Sequence, residues 1–344
     1  MAKIISLFNH KGGVSKTTTT YHLSWMLTNL GQKVIMVDMD AQCNLTGLVL
    51  GEENFEKFYE DQPQNNIKAA VEPAFLGNPV PIQEIEGILV KENLWLVPGH
   101  IDITEFDISL GMAHNFSSSM SVLTNLPGAF YDFLTKMSNK VGADYIIIDM
   151  NPSLSEINKN LLMISDFFIV PTSPDYFSQM ALKTLSTILP KWKQWSLSAK
   201  DYFKTSVYPF PDKNPKLLGI VMQNYSIRNG KPALAFQQKI DKVLITVCEV
   251  LIPVLSTHDL VLHSEKIENK QFCLSYIPNF QSLVARMQEE AAPSTPVYAI
   301  DKKYLGVGTV LDNYIAKQKE LYEIFEVFAN LILELTKDEA DRAV

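Results

Sequence analysis

The stretch Lys11-Gly12-Gly13-Val14-Ser15-Lys16-Thr17-Thr18 constrains this chain more than any other part of it. It follows an apolar run at residues 4–8, and from Lys16 onward Leu23, Met26, Leu27 and Leu30 recur at helical spacing. Strand, glycine loop and helix in this order make a phosphate cradle. Gly12 and Gly13 let the backbone wrap closely around anionic oxygens, and the amides of the loop, those of Val14 to Thr18 included, join the helix N-terminus in supplying positive potential. Lys16 reaches the β and γ phosphates, and the Thr17 hydroxyl ligates Mg2+. Where a glycine usually precedes the lysine stands Ser15, which must then take up the loop's conformation.

Gly31 stops the helix, and residues 33–37 form a second apolar strand with Asp38 and Asp40 at its end. Similar strands read at 94–97, 145–148, 167–170 and 218–222, with helical stretches between them. Near-continuous apolar strands imply a parallel sheet buried on both faces, whose ligands bind beyond the carboxyl ends of the strands. The expectation is an α/β fold. Residues 1–344 are expected to form a single P-loop NTPase domain, with a mostly parallel twisted sheet covered by helices on both faces. Residues 52–90, 196–216 and about 230–275 interrupt the pattern with polar and proline-bearing stretches and read as loop-rich insertions. The stripe Leu311, Ile315, Tyr322, Phe325, Phe328, Ile332 and Leu335 marks a C-terminal core helix near 309–336. Its polar face is acidic, which suits core packing and not attachment to a membrane.

Tyr145-Ile146-Ile147-Ile148-Asp149 is an apolar strand ending in an acid, the Walker B pattern, and Asp149 is expected to hold Mg2+ through water. Asp38 and Asp40, two acids at one strand tip, would repel each other without a cation or lysine nearby, which favours a metal and phosphate site there. Asn224, at the tip of residues 219–223, either offers its amide to a nucleotide base or is a plain turn residue.

These motifs resemble those of the ParA/MinD family of deviant Walker ATPases, whose hallmark is an added lysine at the start of the loop, here Lys11. The resemblance implies that Lys11 crosses a dimer interface to the phosphates of the partner's nucleotide, so that ATP is sandwiched within a homodimer. Residues 37–46 are similar to the family's D-x-D-P-Q-x-N-x-T switch, with Ala41 replacing its proline; on that match Asp40 orients the attacking water and Asp38 lies near the magnesium shell. Residues 149–154 resemble the second switch, D-x-P-P-S-L, with Asn151 in place of a proline. Ile277-Pro278-Asn279 is similar to the family's I-P-R-N turn, which lies beside the adenine and implicates Pro278. The resemblance covers nearly all of residues 3–335. It implies Lys11, Lys16 and Asp40 as catalytic residues, Thr17, Asp38 and Asp149 as metal ligands, and Mg-dependent ATP hydrolysis that drives DNA partition or cargo positioning with an activating partner protein. The alternative is a nucleotide-switched regulatory subunit that controls a partner without touching DNA.

A net charge of -8 excludes a surface that coats nucleic acid all round, so DNA contact has to come from a local patch. The candidate is the stretch 178–218. There Lys183, Lys191, Lys193, Lys200 and Lys204 interleave with Trp192, Trp195, Tyr202 and Phe203, and either make a nucleic-acid surface or a merely solvated face. The first strand starts at residue 3, so no N-terminal DNA-binding extension is expected. Cys43, Cys248 and Cys273 show no paired spacing for zinc or redox chemistry. With neither a signal peptide nor a membrane span, the expected location is the cytoplasm, with the nucleoid as a place of association.

Overall fold

The structure, a computed structural model, describes residues 1–78, 80–116, 121–228, 231–232, 234–280, 282–284 and 295–337. Eight strands form one sheet: β1 (Lys3–Leu7), β2 (Val34–Met39), β3 (Ile88–Lys91), β4 (Leu94–Val97), β5 (Tyr145–Met150), β6 (Phe167–Thr172), β7 (Lys216–Tyr225) and β8 (Cys273–Pro278). Their order is β8-β7-β6-β1-β5-β2-β4-β3, parallel throughout except for β3. The central strands β2 and β5 are buried at every position, which explains why their sequences run apolar without alternation. The register sets Asp38 of β2 opposite Asp149 of β5, and Leu7 of β1 opposite Asp149 on its other side. The phosphate loop and both acids therefore leave the same end of three adjacent strands.

Helices cover both faces. Helix α1 (Lys16–Asn29) follows the loop, and the last helix of the described chain, Thr309–Leu335, packs on it. Its Phe325 ring stacks on His22 of α1 with centroids 5.2 Å apart, and Phe328, Ile332 and Leu335 are buried, as their helical spacing predicts. On the other face, α6 (Leu126–Val141) approaches the segment after residue 203 so closely that a Cβ on Gly128 would sit 2.0 Å from the Tyr208 carbonyl oxygen. Only glycine fits that contact.

The stretches read as loop-rich insertions contain regular structure. Residues 52–90 hold α3 (Glu52–Asp61), α4 (Ile67–Phe75) and the start of β3. Helix α4 is capped by Asn66, whose side chain accepts from the Ala69 amide at 3.0 Å, although Pro73 lies within it. Four prolines between 63 and 81 hide this helix from a reading by periodicity. Residues 196–203 are the end of a 28-residue helix, Tyr176–Phe203 (here α8), which follows α5 (Phe106–Phe116) and α7 (Glu156–Met163) in the chain. The stretch 230–275 carries α9 (Leu234–Thr246), a π-helical turn at Val247–Leu251, α10 (Ile252–Thr257) and α11 (Glu265–Glu268) before β8 begins. Positions 79, 230 and 233 of these stretches lie outside the described residues.

Candidate nucleotide site

The loop between β1 and α1 is anchored from its first residues. Asn9, buried, donates from Nδ2 to the Pro171 carbonyl at the end of β6 (2.8 Å), and its Oδ1 accepts from the Lys11 amide (3.0 Å). Gly13 (φ 70°) and Ser15 (φ 57°) both adopt left-handed backbone, a conformation that costs about 1 kcal/mol or more for a residue with a Cβ. Asn224 offsets that cost. Its Nδ2 donates to the Gly13 carbonyl (3.1 Å), while its Oδ1 accepts from Ser15 Oγ (3.2 Å). Asn224, expected either to meet a base or to be a plain turn residue, has its amide against the phosphate loop. Pro278 pairs in register with Tyr225, so both adenine-side candidates sit at adjacent strand ends.

Helix α1 begins with no side-chain cap and no acid in its first turn. Its first amides and its dipole are therefore left for an anion. Lys16 is buried at this mouth and donates from Nζ to the carbonyls of Asn9 (3.0 Å) and Lys11 (3.4 Å). Burial lowers its pKa, and the charges of Asp149 and Asp40 pull the other way. Asp149 is fully buried and neither carboxylate oxygen has a hydrogen-bond partner. Burial, with the Asp38 charge added, pushes its pKa up to about 8, and Thr17 and Lys16 beside it oppose the rise. An orphaned buried carboxylate is a strong demand for a cation. One carboxylate and one hydroxyl, with phosphate and water for the remaining positions, are the hard oxygen donors that suit Mg2+. Among the described residues no cluster of three acidic, histidine or cysteine ligands exists.

Asp38 differs. Its Oδ2 accepts from the Thr46 amide (2.8 Å) and the Thr46 hydroxyl (2.7 Å), and its Oδ1 from the Asp40 amide (3.2 Å). This residue, read as a metal ligand, is engaged on both oxygens by its own loop; burial raises its pKa to about 6 despite those bonds. Asp40 is buried next to it and accepts from the Gln42 amide (3.0 Å). In the second switch, Asn158 of α7 donates to Asn151 Oδ1 (2.9 Å) and to the carbonyls of Asn151 (3.0 Å) and Ser153 (2.8 Å). Sequence reasoning passed over Asn9 and Asn158, because a lone asparagine outside a motif carries no signal until its distant partner is known.

Lys11 lies at the rim. Its ammonium pairs with Asp175, the N-cap of α8, and donates to Ser178 Oγ at 3.0 Å.

The lysine stretch on α8 divides. Lys183, Lys191 and Lys204 are exposed, but Lys193 is buried to 7% exposure and bonds Asn214, and Lys200 pairs with Asp212. Of the interleaved aromatics only Tyr202 is open to solvent, at 61% exposure. Trp192 and Phe203 are buried, and Trp195 packs on His114 with ring centroids 4.1 Å apart. Trp192, Trp195, Ala199 and Phe203 follow helical spacing and form one stripe turned to the core.

A family model described as an AAA domain matches residues 2–200. An uncharacterized protein of Methanocaldococcus jannaschii is 30% identical over 258 residues, which are 68% of this chain and 91% of that protein. The sporulation initiation inhibitor protein Soj of Bacillus subtilis is 31% identical over 190 residues, covering 55% of this chain and 64% of Soj. The chain thus spans most of the first relative but less than two thirds of the second. Among solved structures, that of pNOB8 ParA bound to nonspecific DNA shares the fold at a TM-score of 0.56 and 20% identity, over 99% of this chain and 100% of that one. A plasmid partition protein from Borrelia burgdorferi B31 bound to AMPPNP does so at 0.55 and 20%, over 97% and 99%. With the loop, both switches and the sheet order in place, the chain belongs to the ParA/MinD-type ATPases.

Proposed function

We propose that residues 1–344 act as one ATPase domain that binds ATP with Mg2+, closes as a homodimer around it and hydrolyses it to drive partition or positioning in the cytoplasm. The observation that carries the reading is the buried, unpartnered Asp149 carboxylate beside Thr17 and Lys16, at the mouth of an uncapped helix. Bound Mg2+ would neutralise phosphate charge there, held by Thr17 and Asp149. Lys16 has to exchange its two backbone carbonyls for phosphate oxygens, the loop amides orient the phosphates, and Asp40 orients the attacking water.

Apolar residues at the same rim support dimerisation. Tyr176 (66%) and Phe177 (71%) are exposed directly after Asp175, and Leu154 of the second switch is exposed too. A patch of this kind beside a charged pocket is usual for an interface. The pNOB8 relative's nonspecific DNA supports partition through the exposed lysines of α8; the burial of Lys193 and the tethering of Lys200 support the regulatory alternative.

The test is equilibrium nucleotide binding alongside turnover. Lys16→Ala should lose ATP binding by about two orders of magnitude, while Asp40→Ala should bind ATP normally and accumulate nucleotide-bound dimer. Rapid turnover by Asp40→Ala, or unchanged binding by Lys16→Ala, would overturn the reading.

A further inference from the structure

We infer that Tyr59, on α3, is a positioning residue for ATP hydrolysis: through Gly99 and Thr46 it fixes the Asp38–Asp40 loop in the geometry that orients the attacking water. The inference rests on the ATPase reading above and extends it to a residue outside every nucleotide motif.

The connection is a continuous chain of hydrogen bonds. Tyr59 Oη donates to the Gly99 carbonyl at 2.7 Å. The amide of Gly99 donates to Thr46 Oγ1 at 3.0 Å, and that hydroxyl donates in turn to Asp38 Oδ2 at 2.7 Å. Asp38 Oδ1 accepts from the Asp40 amide at 3.2 Å, and the Asp40 carbonyl accepts from the Cys43 amide at 2.8 Å. Every link is either buried or shielded, so each bond restrains its neighbour in a low dielectric where a lost partner is costly.

Gly99 is the strap. A Cβ there would stand 3.1 Å from Asp38 Cγ and 3.2 Å from Cys43 Sγ, so the strand end after β4 lies directly against the switch. The switch needs such a restraint because it is strained: Cys43, at the start of α2 (Asn44–Leu50), has φ 51°. Tyr59 itself is held by aromatic packing, edge-on to Phe55 at 5.2 Å and to His100 at 5.9 Å. Phe55 in turn packs over Gly47 of α2. A helix between the first switch and β3 is thereby keyed to the switch by one hydroxyl. Removing that hydroxyl leaves the ring and its packing unchanged and frees the Asp40 loop, so the effect belongs on the chemical step and not on nucleotide affinity.

The experiment measures kcat and KM for ATP, with and without Mg2+, in full-length wild type, Tyr59→Phe, Thr46→Val, Thr46→Ser and the Tyr59→Phe/Thr46→Val double variant, and single-turnover hydrolysis in the Asp40→Ala background. We expect Tyr59→Phe and Thr46→Val each to lower kcat about five- to tenfold with KM within twofold of wild type. The double variant should be no worse than the more impaired single variant, and Thr46→Ser should stay near wild type. Added to Asp40→Ala, Tyr59→Phe should cost nothing more, because the acid it positions is already gone. A Tyr59→Phe kcat within twofold of wild type overturns the inference, as does a loss carried by KM, an additive double variant or a further loss on Asp40→Ala. Should Tyr59→Phe fail to fold, Thr46→Val against Thr46→Ser reads the same chain, and equal activity of those two overturns it. A wild-type chain without ATP turnover sinks the ATPase reading and this inference together, whereas an active wild type matched by Tyr59→Phe sinks this inference alone.

Discussion

Lys11 and Asp175 form an ion pair within one chain, with the Ser178 hydroxyl as a second acceptor 3.0 Å from the lysine. The Asp175 carboxyl sits below its usual range although partial burial pulls it upward, because Lys11 and the Ser178 amide hold the ionised form. A lysine that has to reach a partner's phosphates must first leave this pair. Asp175→Asn keeps the α8 cap and removes the charge. We therefore expect ATP-dependent dimers at up to about thirtyfold lower protein concentration, since each dimer releases two such part-exposed pairs, each worth under about 1 kcal/mol. Light scattering against concentration measures it; a dimer that is weakened or unaltered would count against the crossing role of Lys11.

Asp149 makes the nucleotide-free protein sensitive to alkali. Its pKa stands near 8 in the folded chain against 3.8 when unfolded, so the folded state holds the extra proton between those values. Stability from this group is full below about pH 4 and is lost as pH rises toward 8. Without Mg-ATP, Asp149→Asn should melt higher than wild type at pH 8.5, with the advantage shrinking toward pH 6. It should also lose the stabilisation that Mg2+ adds to ATP. Thermal melts at the two pH values, with and without Mg-ATP, test both halves, and a melting point for Asp149→Asn below that of wild type at pH 8.5 would refute the burial argument.

His22 acts in the opposite direction. Its Nδ1 donates to the Thr18 carbonyl (2.7 Å), its Nε2 accepts from the Val297 amide (3.1 Å), and burial lowers its pKa to about 4. The neutral ring is required by those two bonds. The unfolded chain binds the extra proton between pH 6.5 and 4, so stability falls by up to about 3 kcal/mol as pH drops through that window. Urea unfolding of His22→Gln should show a flatter pH dependence there than wild type. Taking the difference between the two proteins cancels the contributions of Asp38 and Asp149, and identical slopes would contradict the assignment.

The lysines of α8 separate surface from core. Replacing exposed Lys183, Lys191 and Lys204 with alanine should leave the melting temperature within about 2 °C and reduce salt-dependent retention of the ATP-bound protein on nonspecific duplex. Lys193→Ala should instead lower the melting temperature by several degrees, since it empties the space of a buried side chain and removes its bond to Asn214, which keeps only Asp259. Duplex retention that does not respond to the triple substitution would favour the regulatory alternative over partition.

Local order in the sequence determined the class of the protein. Strand, glycine loop and helix within the first thirty residues, and apolar strands ending in Asp38, Asp40 and Asp149, placed the phosphate loop and the acids at the carboxyl ends of the strands, because backbone periodicity and glycine geometry are properties of neighbours in the chain. Phe325, Phe328, Ile332 and Leu335 of the C-terminal stripe were legible for the same reason, whereas Tyr322 of that stripe is exposed. What neighbours cannot encode, tertiary structure decided. Tyr59 meets Gly99 across 40 positions, Asn224 braces Ser15 across 209 and Lys11 meets Asp175 across 164, and each pairing exists only once the sheet order is set. Trp192, Trp195 and Phe203 of α8 show the same limit from the other side. Their spacing fixed which residues share a helix face, and only packing against the sheet turned that face inward.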